Sequence, residues 1–208
     1  MWKKSIFSLA ICTMATVTNA QQTTQVNAVQ LAFKKSYESE YNLKYAKAIE
    51  ELTPLYDAKS YELNLRLGWL NYLNIKYVSS VEFYKKCIEL APKSIEAKLG
   101  LVYPLASLER WDEVMVQYNE ILKLDPTNMT ANFQLALINY NRKDYTQALP
   151  YITTYVTSYP FNFDGLNLIG WIHYASGKKE LAKNYFQKAL LVNPSSKNYE
   201  LLPEMKWF

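Results

Sequence analysis

The sequence has few of the residues on which catalysis, metal binding and tight turns most often depend. Its 208 residues include one histidine, two cysteines and five glycines. A metal site needs clustered ligands, and His173 and Cys87 are too far apart in sequence to suggest one. No glycine-rich loop precedes a lysine at the spacing of a phosphate-binding motif. We therefore expect no metal, no cofactor and no catalytic residues.

The sequence also lacks a strong charge of either sign. It contains 23 lysine and arginine residues against 19 aspartate and glutamate residues. The two signs are interspersed, so the chain has no basic patch of the kind that binds nucleic acid. Half of the residues are hydrophobic and 15% are aromatic. With so few glycines, this composition favours amphipathic helices over tight β-turns.

The first 20 residues have the order of a secretory signal. Lys3 and Lys4 precede an apolar stretch, Ile6–Val17, and small residues lead to Ala20. The stretch is shorter than the roughly 20 apolar residues that span a bilayer. We expect residues 1–20 to be cleaved, which leaves a short N-terminal tail over 21–26 and no integral membrane segment. The expected location of the mature chain is periplasmic or secreted.

Cysteine usage follows from this signal. Cys12 lies inside the apolar stretch behind Ile11, a side chain too bulky for the residue before a lipoprotein cleavage site. A lipoprotein is therefore disfavoured. Cleavage leaves Cys87 as the remaining cysteine, so the mature chain forms no internal disulfide and depends on packing for its stability.

Prolines recur at a fixed interval from the middle of the sequence onward. The equally spaced positions are Pro92, Pro126, Pro160 and Pro194. Each follows an apolar segment of helical period, where a proline ends the helix because it lacks an N–H and clashes with the preceding turn. The interval matches the period of about 34 residues at which one class of helix-turn-helix array repeats.

The residues inside this interval resemble the tetratricopeptide repeat family. In the last repeat, Leu166, Ile169, Gly170 and His173 occupy the positions of the family's W-x-x-L-G-x-x-Y helix, and Ala182 and Phe186 those of its second helix. The repeats that end at Pro92 and Pro160 have Gly68 and Ala136 in the small-residue position, which allows close helix approach. The repeat between them has Val102 and Val114 in its small-residue positions.

The resemblance implies an all-α fold, a right-handed superhelical solenoid of about five helix-turn-helix pairs with a short C-terminal helix. The expected repeats cover 27–60, 61–94, 95–128, 129–162 and 163–196. The first repeat, 27–60, is placed by counting back 34 residues from the second. This count puts Lys34 in the glycine position of the repeat. The apolar positions of the first repeat are then Phe33, Tyr37, Ala46 and Ile49. Residues 197–208 are expected to form a short cap or tail, and their apolar end suggests a homodimer contact.

The resemblance also implies a binding groove, because the first helix of each pair lines the concave face in this family. When the repeats are aligned with the family pattern, the groove-lining positions fall on a mostly aromatic set of residues. They are Lys35, Leu65, Arg66, Trp69, Tyr72, Tyr103, Phe133, Gln134, Leu137, Tyr140, Asn167, Trp171 and Tyr174. The first helix offers Leu31, Lys35 and Glu38, with Arg66 next to them, so any charge selectivity is expected at the N-terminal end of the groove. Exposed Trp and Tyr side chains are frequent in binding hot spots.

From this resemblance we expect an exported bacterial protein that is not an enzyme. It would be an interaction module or scaffold of the cell envelope that binds a protein or peptide segment in the groove. One alternative is a subunit of an envelope assembly or secretion complex that makes contact through its flank. Another is a carbohydrate-binding module, since sugar rings stack on Trp and Tyr, and Trp69→Ala with Trp171→Ala would abolish its glycan binding.

Overall fold

The computed structural model describes residues 27–196, and every regular element within them is helical. The ten α-helices are α1 (27–41), α2 (Tyr45–Glu50), α3 (Tyr61–Leu73), α4 (Tyr77–Leu90), α5 (Ile95–Ser107), α6 (Trp111–Leu124), α7 (Met129–Asn141), α8 (Tyr145–Ser158), α9 (Phe163–Ala175) and α10 (Lys179–Val192). One 3-10 turn, Thr53–Leu55, follows α2. The expected all-α fold is confirmed for this part of the chain.

Several sequence expectations concern residues outside the described range. They are the signal peptide over 1–20, the tail over 21–26, and the cap with its homodimer contact over 197–208. These expectations stay predictions. Within 27–196, none of the helices combines the length and the hydrophobicity needed to cross a bilayer.

The first helices of the later pairs begin with the same capping arrangement. Their N-caps recur at the interval of the prolines, at Ser60, Ser94, Asn128 and Asn162. Each cap side chain accepts a hydrogen bond from the backbone N–H three residues further on, at distances of 2.9 to 3.2 Å. A helix leaves its first N–H groups without an internal acceptor, so a Ser or Asn at this position stabilises the helix start.

The turn inside each helix pair contains one residue in the left-handed region. These residues have φ between 58° and 76° and are Leu43, Ile75, Glu109, Lys143 and Gly177. The last four follow one another at the regular interval, but Leu43 and Ile75 are two residues closer together. Helix α2 accounts for the missing two residues. It has 6 residues where α4 has 14, and Pro54 lies in the 3-10 turn that follows it.

This shorter first pair corrects the register expected for residues 27–60. The glycine position of the second pair is occupied by Gly68. Leu43 and Ile75 give the interval between the first and second pairs, and the same interval counted back from Gly68 shows that Ser36 is its equivalent in the first pair. Ser36 is fully buried, whereas the Lys34 side chain is 73% exposed. Ala48 is likewise fully buried, and Ala46 is exposed. The expectation that Lys34 fills the glycine position is therefore wrong.

Aromatic rings lie directly against the helical glycines. A Cβ added to Gly100 would lie 2.2 Å from Tyr84 Cε1, and one added to Gly68 would lie 3.1 Å from the same ring. Tyr84 thus occupies the space between α3 and α5. In the last pair, a Cβ on Gly170 would lie 2.3 Å from Phe186 Cε1. The absence of a Cβ is what permits these close approaches, as predicted for the small-residue positions of Gly68 and Gly170. Gly100 was not predicted, because it lies two residues before Val102, the small-residue position of its repeat.

The helices divide into two compact units, which we call the N-terminal unit (27–109) and the C-terminal unit (110–196). In the N-terminal unit, α1, α2 and α3 share a core that includes Ala32, Leu52 and Leu67. In the C-terminal unit, α7, α8 and α9 share a core around Ile152 and Ile169. A further cluster joins α9 to α10 around Phe186. Consecutive helices therefore pack as pairs within each unit.

Candidate binding surface

Six of the predicted groove residues lie in the N-terminal unit. They are Lys35 on α1, Leu65, Arg66, Trp69 and Tyr72 on α3, and Tyr103 on α5. Tyr103 is 52% exposed, and Leu65, Trp69 and Tyr72 are half-buried. Arg66 differs, because it is only 6% exposed. The apolar members of the set are therefore available at the surface.

Four aromatic rings in this unit form a connected group, which we call the aromatic cluster: Trp69, Tyr72, Tyr77 and Tyr103. Trp69 and Tyr72 have ring centroids 5.6 Å apart, and Tyr103 lies 6.3 Å from Trp69 and 5.6 Å from Tyr72. Tyr77 lies 5.8 Å from Tyr72. These separations are those of interacting ring pairs, which hold one another in place. The cluster is a pre-ordered aromatic surface formed by α3, the first residue of α4, and α5.

Arg66 is held by α1 and does not project into solvent. Its Nη1 pairs with Glu40 Oε2, and its Nε donates to Ser36 Oγ at 3.3 Å. The guanidinium carbon lies 3.8 Å from the centroid of the Tyr37 ring. Trp69 Nε1 donates to the other oxygen of Glu40 at 2.6 Å. Arg66 therefore fixes Glu40 and Trp69 in position, and its charge is neutralised where the sequence analysis expected it to select a partner.

The corrected register brings three residues of α1 to this surface that the sequence analysis did not include. With the shorter interval, the residues of α1 that are equivalent to Leu65, Trp69 and Tyr72 are Phe33, Tyr37 and Glu40. All three line a pocket of the N-terminal unit, which is described in the next paragraph. Lys35 is exposed, but it is equivalent to the buried Leu67 and is not among those lining residues. A sequence signal for this register exists, since Asn42-Leu43-Lys44-Tyr45 matches Asn74-Ile75-Lys76-Tyr77 at the shorter interval.

A pocket of about 600 Å³ lies beside the aromatic cluster in the N-terminal unit. Trp69 belongs to both the pocket and the aromatic cluster. The pocket has aromatic and aliphatic walls with three carboxylates, and its lining residues are Phe33, Tyr37, Glu40, Tyr61, Glu62, Leu65, Arg66, Trp69 and Glu96. The size is that of a site for one or two amino-acid side chains or a small ligand.

The other seven predicted groove residues lie in the C-terminal unit and are half-buried. They are Phe133, Gln134, Leu137 and Tyr140 on α7, and Asn167, Trp171 and Tyr174 on α9. Several contribute to packing: Phe133 lies 5.2 Å from Tyr155, and Trp171 lies 5.1 Å from Phe186. The aromatic side chains here are shared between the surface and the core clusters.

The two groups that could most readily perform chemistry serve packing. Cys87 is buried, its Sγ donates to the Tyr61 carbonyl at 3.6 Å, and burial raises the pKa of its thiol to about 12. His173 is 7% exposed and stacks on Tyr185 with centroids 5.5 Å apart. Burial, with a smaller contribution from nearby Lys178, lowers the pKa of His173. Across residues 27–196, no group of three or more His, Cys, Asp or Glu side chains is placed to hold a metal ion.

Two family models of the tetratricopeptide repeat match the C-terminal part of the chain, over residues 163–196 and 117–163. These matches support the tetratricopeptide repeat family. A curated relative agrees: TPR repeat-containing protein MJ1428 from Methanocaldococcus jannaschii is 28% identical over 151 residues. The alignment includes 69% of this chain but only 25% of that protein. The chain thus spans about a quarter of the length of its relative.

Solved structures of MamA proteins share the fold. One MamA crystal structure has a TM-score of 0.69 at 19% identity, over 84% of this chain and 96% of that one. MamA from Desulfovibrio magneticus RS-1, from residue 41 to its end, has a TM-score of 0.70 at 14% identity, over 82% and 97%. The expected array of consecutive helix pairs is confirmed by this likeness. The tetratricopeptide fold suggests a protein-interaction scaffold, and proteins of this family are generally non-catalytic interaction modules.

Proposed function

We propose that this protein is an exported interaction scaffold that binds an extended segment of a partner protein on the face formed by its first helices. The observation that carries the proposal is the aromatic cluster of the N-terminal unit, which stays accessible although its rings contact one another. Tyr103 is 52% exposed and lies beside Trp69 and Tyr72, so the exposed apolar area is contiguous and not a single scattered side chain.

The construction of this surface favours a protein ligand. Trp and Tyr side chains offer a large contact area, lose little conformational entropy on binding and keep one polar group for a hydrogen bond. Here Trp69 is held by its hydrogen bond to Glu40 and by two neighbouring rings. A surface that is ordered before binding loses less entropy when the partner arrives.

The setting of this function is proposed from the sequence. The charged, apolar and small-residue order of residues 1–20 supports export through a cleaved signal, and hence a periplasmic or secreted scaffold of the cell envelope. Detection of the mature N-terminus at Gln21 in protein recovered from outside the cytoplasm would test this part. An intact N-terminus in cytoplasmic protein would contradict it.

The binding proposal is tested by affinity capture with residues 21–208. Three forms are compared: wild type, a Trp69→Ala/Tyr103→Ala variant, and a control variant, Leu90→Ala. The control removes an exposed apolar side chain of the same unit from the last residue of α4, at the opposite end of that helix from Tyr77. We expect wild type and control to capture the same proteins and the cluster variant to lose them. A purified captured protein then provides dissociation constants for the three forms.

If the cluster variant retains the same partners with unchanged affinity, the first-helix face is not the binding surface. Contact through the flank of the helix array would then explain the capture. Circular dichroism of the three forms provides the necessary check that each is folded, since an unfolded variant would lose partners for a trivial reason.

A further inference from the structure

Three carboxylates from three successive first helices line the pocket beside the aromatic cluster. Glu40 comes from α1, Glu62 from α3 and Glu96 from α5, and the cation that lines the pocket is Arg66. Arg66 is paired with Glu40. Glu62 accepts from Ser60 Oγ at 3.0 Å and Glu96 from the Tyr61 hydroxyl at 3.3 Å. Neither of these two carboxylates pairs with a lysine or arginine in the described part of the chain.

Helix stability explains part of this arrangement. Glu62 and Glu96 each stand in the first turn of their helix, where a carboxylate interacts favourably with the helix N-terminus. That effect does not require both side chains to line one pocket together with Glu40. The equivalent position is acidic again in α9, at Asp164, but not in α7. The lining therefore carries a net negative charge that helix stability alone does not account for.

Arg66 provides a second and independent observation. Its guanidinium is 6% exposed and lines the pocket, and its Nη2 is a buried nitrogen without a hydrogen-bond partner among the described residues. A buried N–H that lacks an acceptor is unfavourable, so the site is complete only when an acceptor is supplied. The ring against the guanidinium is that of Tyr37, which is 55% exposed and is therefore not enclosed by the core.

We propose that this pocket binds a lysine or arginine side chain of the partner segment, an inference that rests on the proposed function. The basic group lies between the carboxylates of Glu62 and Glu96, and its aliphatic stem packs against Leu65 and Trp69. A backbone carbonyl of the segment accepts a hydrogen bond from Arg66 Nη2. Because Trp69 belongs to both the pocket and the aromatic cluster, one extended segment reaches both.

A peptide fits these requirements better than a free cation does. The pocket presents carboxylates, which attract positive charge, and an unpartnered N–H, which needs an acceptor. A basic residue in a polypeptide supplies both, whereas a metal ion supplies only the charge. The described residues also contain no group of His, Cys, Asp and Glu side chains placed for a metal ion.

The test is a selection from a phage-displayed library of random twelve-residue peptides on residues 21–208. Four forms are used: wild type, Glu62→Gln/Glu96→Gln, the cluster variant Trp69→Ala/Tyr103→Ala, and the control Glu82→Gln/Glu89→Gln. The control removes two carboxylates of α4 that do not line the pocket. The consensus peptide from wild type is then synthesised with its basic residue as lysine, acetyl-lysine or glutamine, and binding is measured by fluorescence anisotropy.

We expect wild type and the control to enrich peptides that share a lysine or arginine. The Glu62→Gln/Glu96→Gln variant should bind the lysine peptide about tenfold more weakly, because two partly exposed ion pairs are lost. Acetylation of the lysine should weaken binding to wild type by a similar factor and change binding to that variant little.

Other outcomes separate this inference from the proposed function. Enriched peptides without a preference for basic residues, or an unchanged affinity after Glu62→Gln/Glu96→Gln, would overturn the inference and leave peptide binding by the aromatic cluster intact. If the cluster variant binds the wild-type consensus peptide as tightly as wild type does, the proposed function itself fails.

Discussion

The contact between Tyr84 and Gly100 provides the sharpest test of how the N-terminal unit packs. In Gly100→Ala, the new Cβ would lie 2.2 Å from Cε1, 2.6 Å from Cζ and 2.8 Å from Cδ1 of the Tyr84 ring. Carbon atoms in good contact are about 3.5–4.0 Å apart. The ring must therefore move by more than an ångström, although Tyr84 is only 3% exposed.

The Tyr84 ring has little space to move away from Gly100. A Cβ on Gly68 would lie 3.1 Å from the same ring, so α3 is already close on that side. Overpacking of this kind costs about 1–3 kcal/mol, and we take the upper end because the ring lies between two helices. Replacement of glycine by alanine in a helix stabilises the folded state by about 1 kcal/mol through helix propensity. Gly100→Ala should therefore destabilise the N-terminal unit by about 2 kcal/mol.

Gly68→Ala is the matched control. Its new Cβ needs the Tyr84 ring to shift by only a few tenths of an ångström, so a small steric cost and the helix-propensity gain of about 1 kcal/mol nearly cancel. In a Tyr84→Leu background, the ring atoms that meet Cβ are absent. The steric cost of Gly100→Ala should then largely disappear and leave the helix-propensity gain, which a double-mutant cycle would measure as a coupling of about 3 kcal/mol.

Urea unfolding followed by pulse labelling of Cys87 measures this effect in the N-terminal unit alone, because Cys87 belongs to α4 and is buried. Residues 21–208 contain no other cysteine. The reasoning is refuted if Gly100→Ala is as stable as wild type. It is also refuted if the penalty is the same in the Tyr84→Leu background, since the cause would then not be the ring.

Three further predictions concern ionisable groups. The raised pKa of Cys87, about 12, predicts that its thiol reacts with a thiol reagent at about pH 8 far more slowly in the folded chain than in urea; rapid native labelling would contradict this. Arg66→Met leaves Glu40 without its cation and should destabilise the N-terminal unit by about 2 kcal/mol, with partial recovery in the Arg66→Met/Glu40→Gln double variant; equal stability of Arg66→Met and wild type would show that the pair contributes nothing. Burial and Lys178 lower the folded-state pKa of His173, so its contribution to stability is complete above the unfolded value of about 6.5 and declines as the pH falls below it. The urea midpoint of the C-terminal unit should therefore drop between about pH 7.5 and pH 5, and less so in His173→Tyr; equal pH dependence in both forms would assign the drop to other groups.

The regular part of the fold could be predicted because each repeat position has one physical requirement. A proline ends a helix, a Ser or Asn two residues later caps the next one, and a glycine allows a ring to approach the backbone. Pro92 and Ser94 meet the first two requirements, and Gly68 meets the third, in sequence and in structure. Such positions recur at a constant interval because the geometry of the pair recurs.

The first pair could not be predicted by the same interval, since its second helix is shorter. Helix α2 ends at Glu50, and the 3-10 turn that contains Pro54 replaces the remaining turns, which removes two residues from the repeat. This pair has no proline at the position where the other pairs end, so the spacing of the prolines did not show that the first repeat is shorter. The repeated Asn-x-Lys-Tyr pattern at Asn42 and Asn74 was the available signal, and it fixes the shorter interval.

The error in register also changed which charged residues were expected at this surface. With the regular interval, Lys35 and Glu38 fall on the groove next to Arg66. With the shorter interval, Glu40 takes the position equivalent to Tyr72, from which it meets both Arg66 and Trp69. The positive charge of Arg66 is then neutralised inside the protein, and the carboxylates of Glu62 and Glu96 determine the sign of the pocket. A displacement of two residues in one helix thus puts Glu40, in place of Lys35, at the surface next to Arg66.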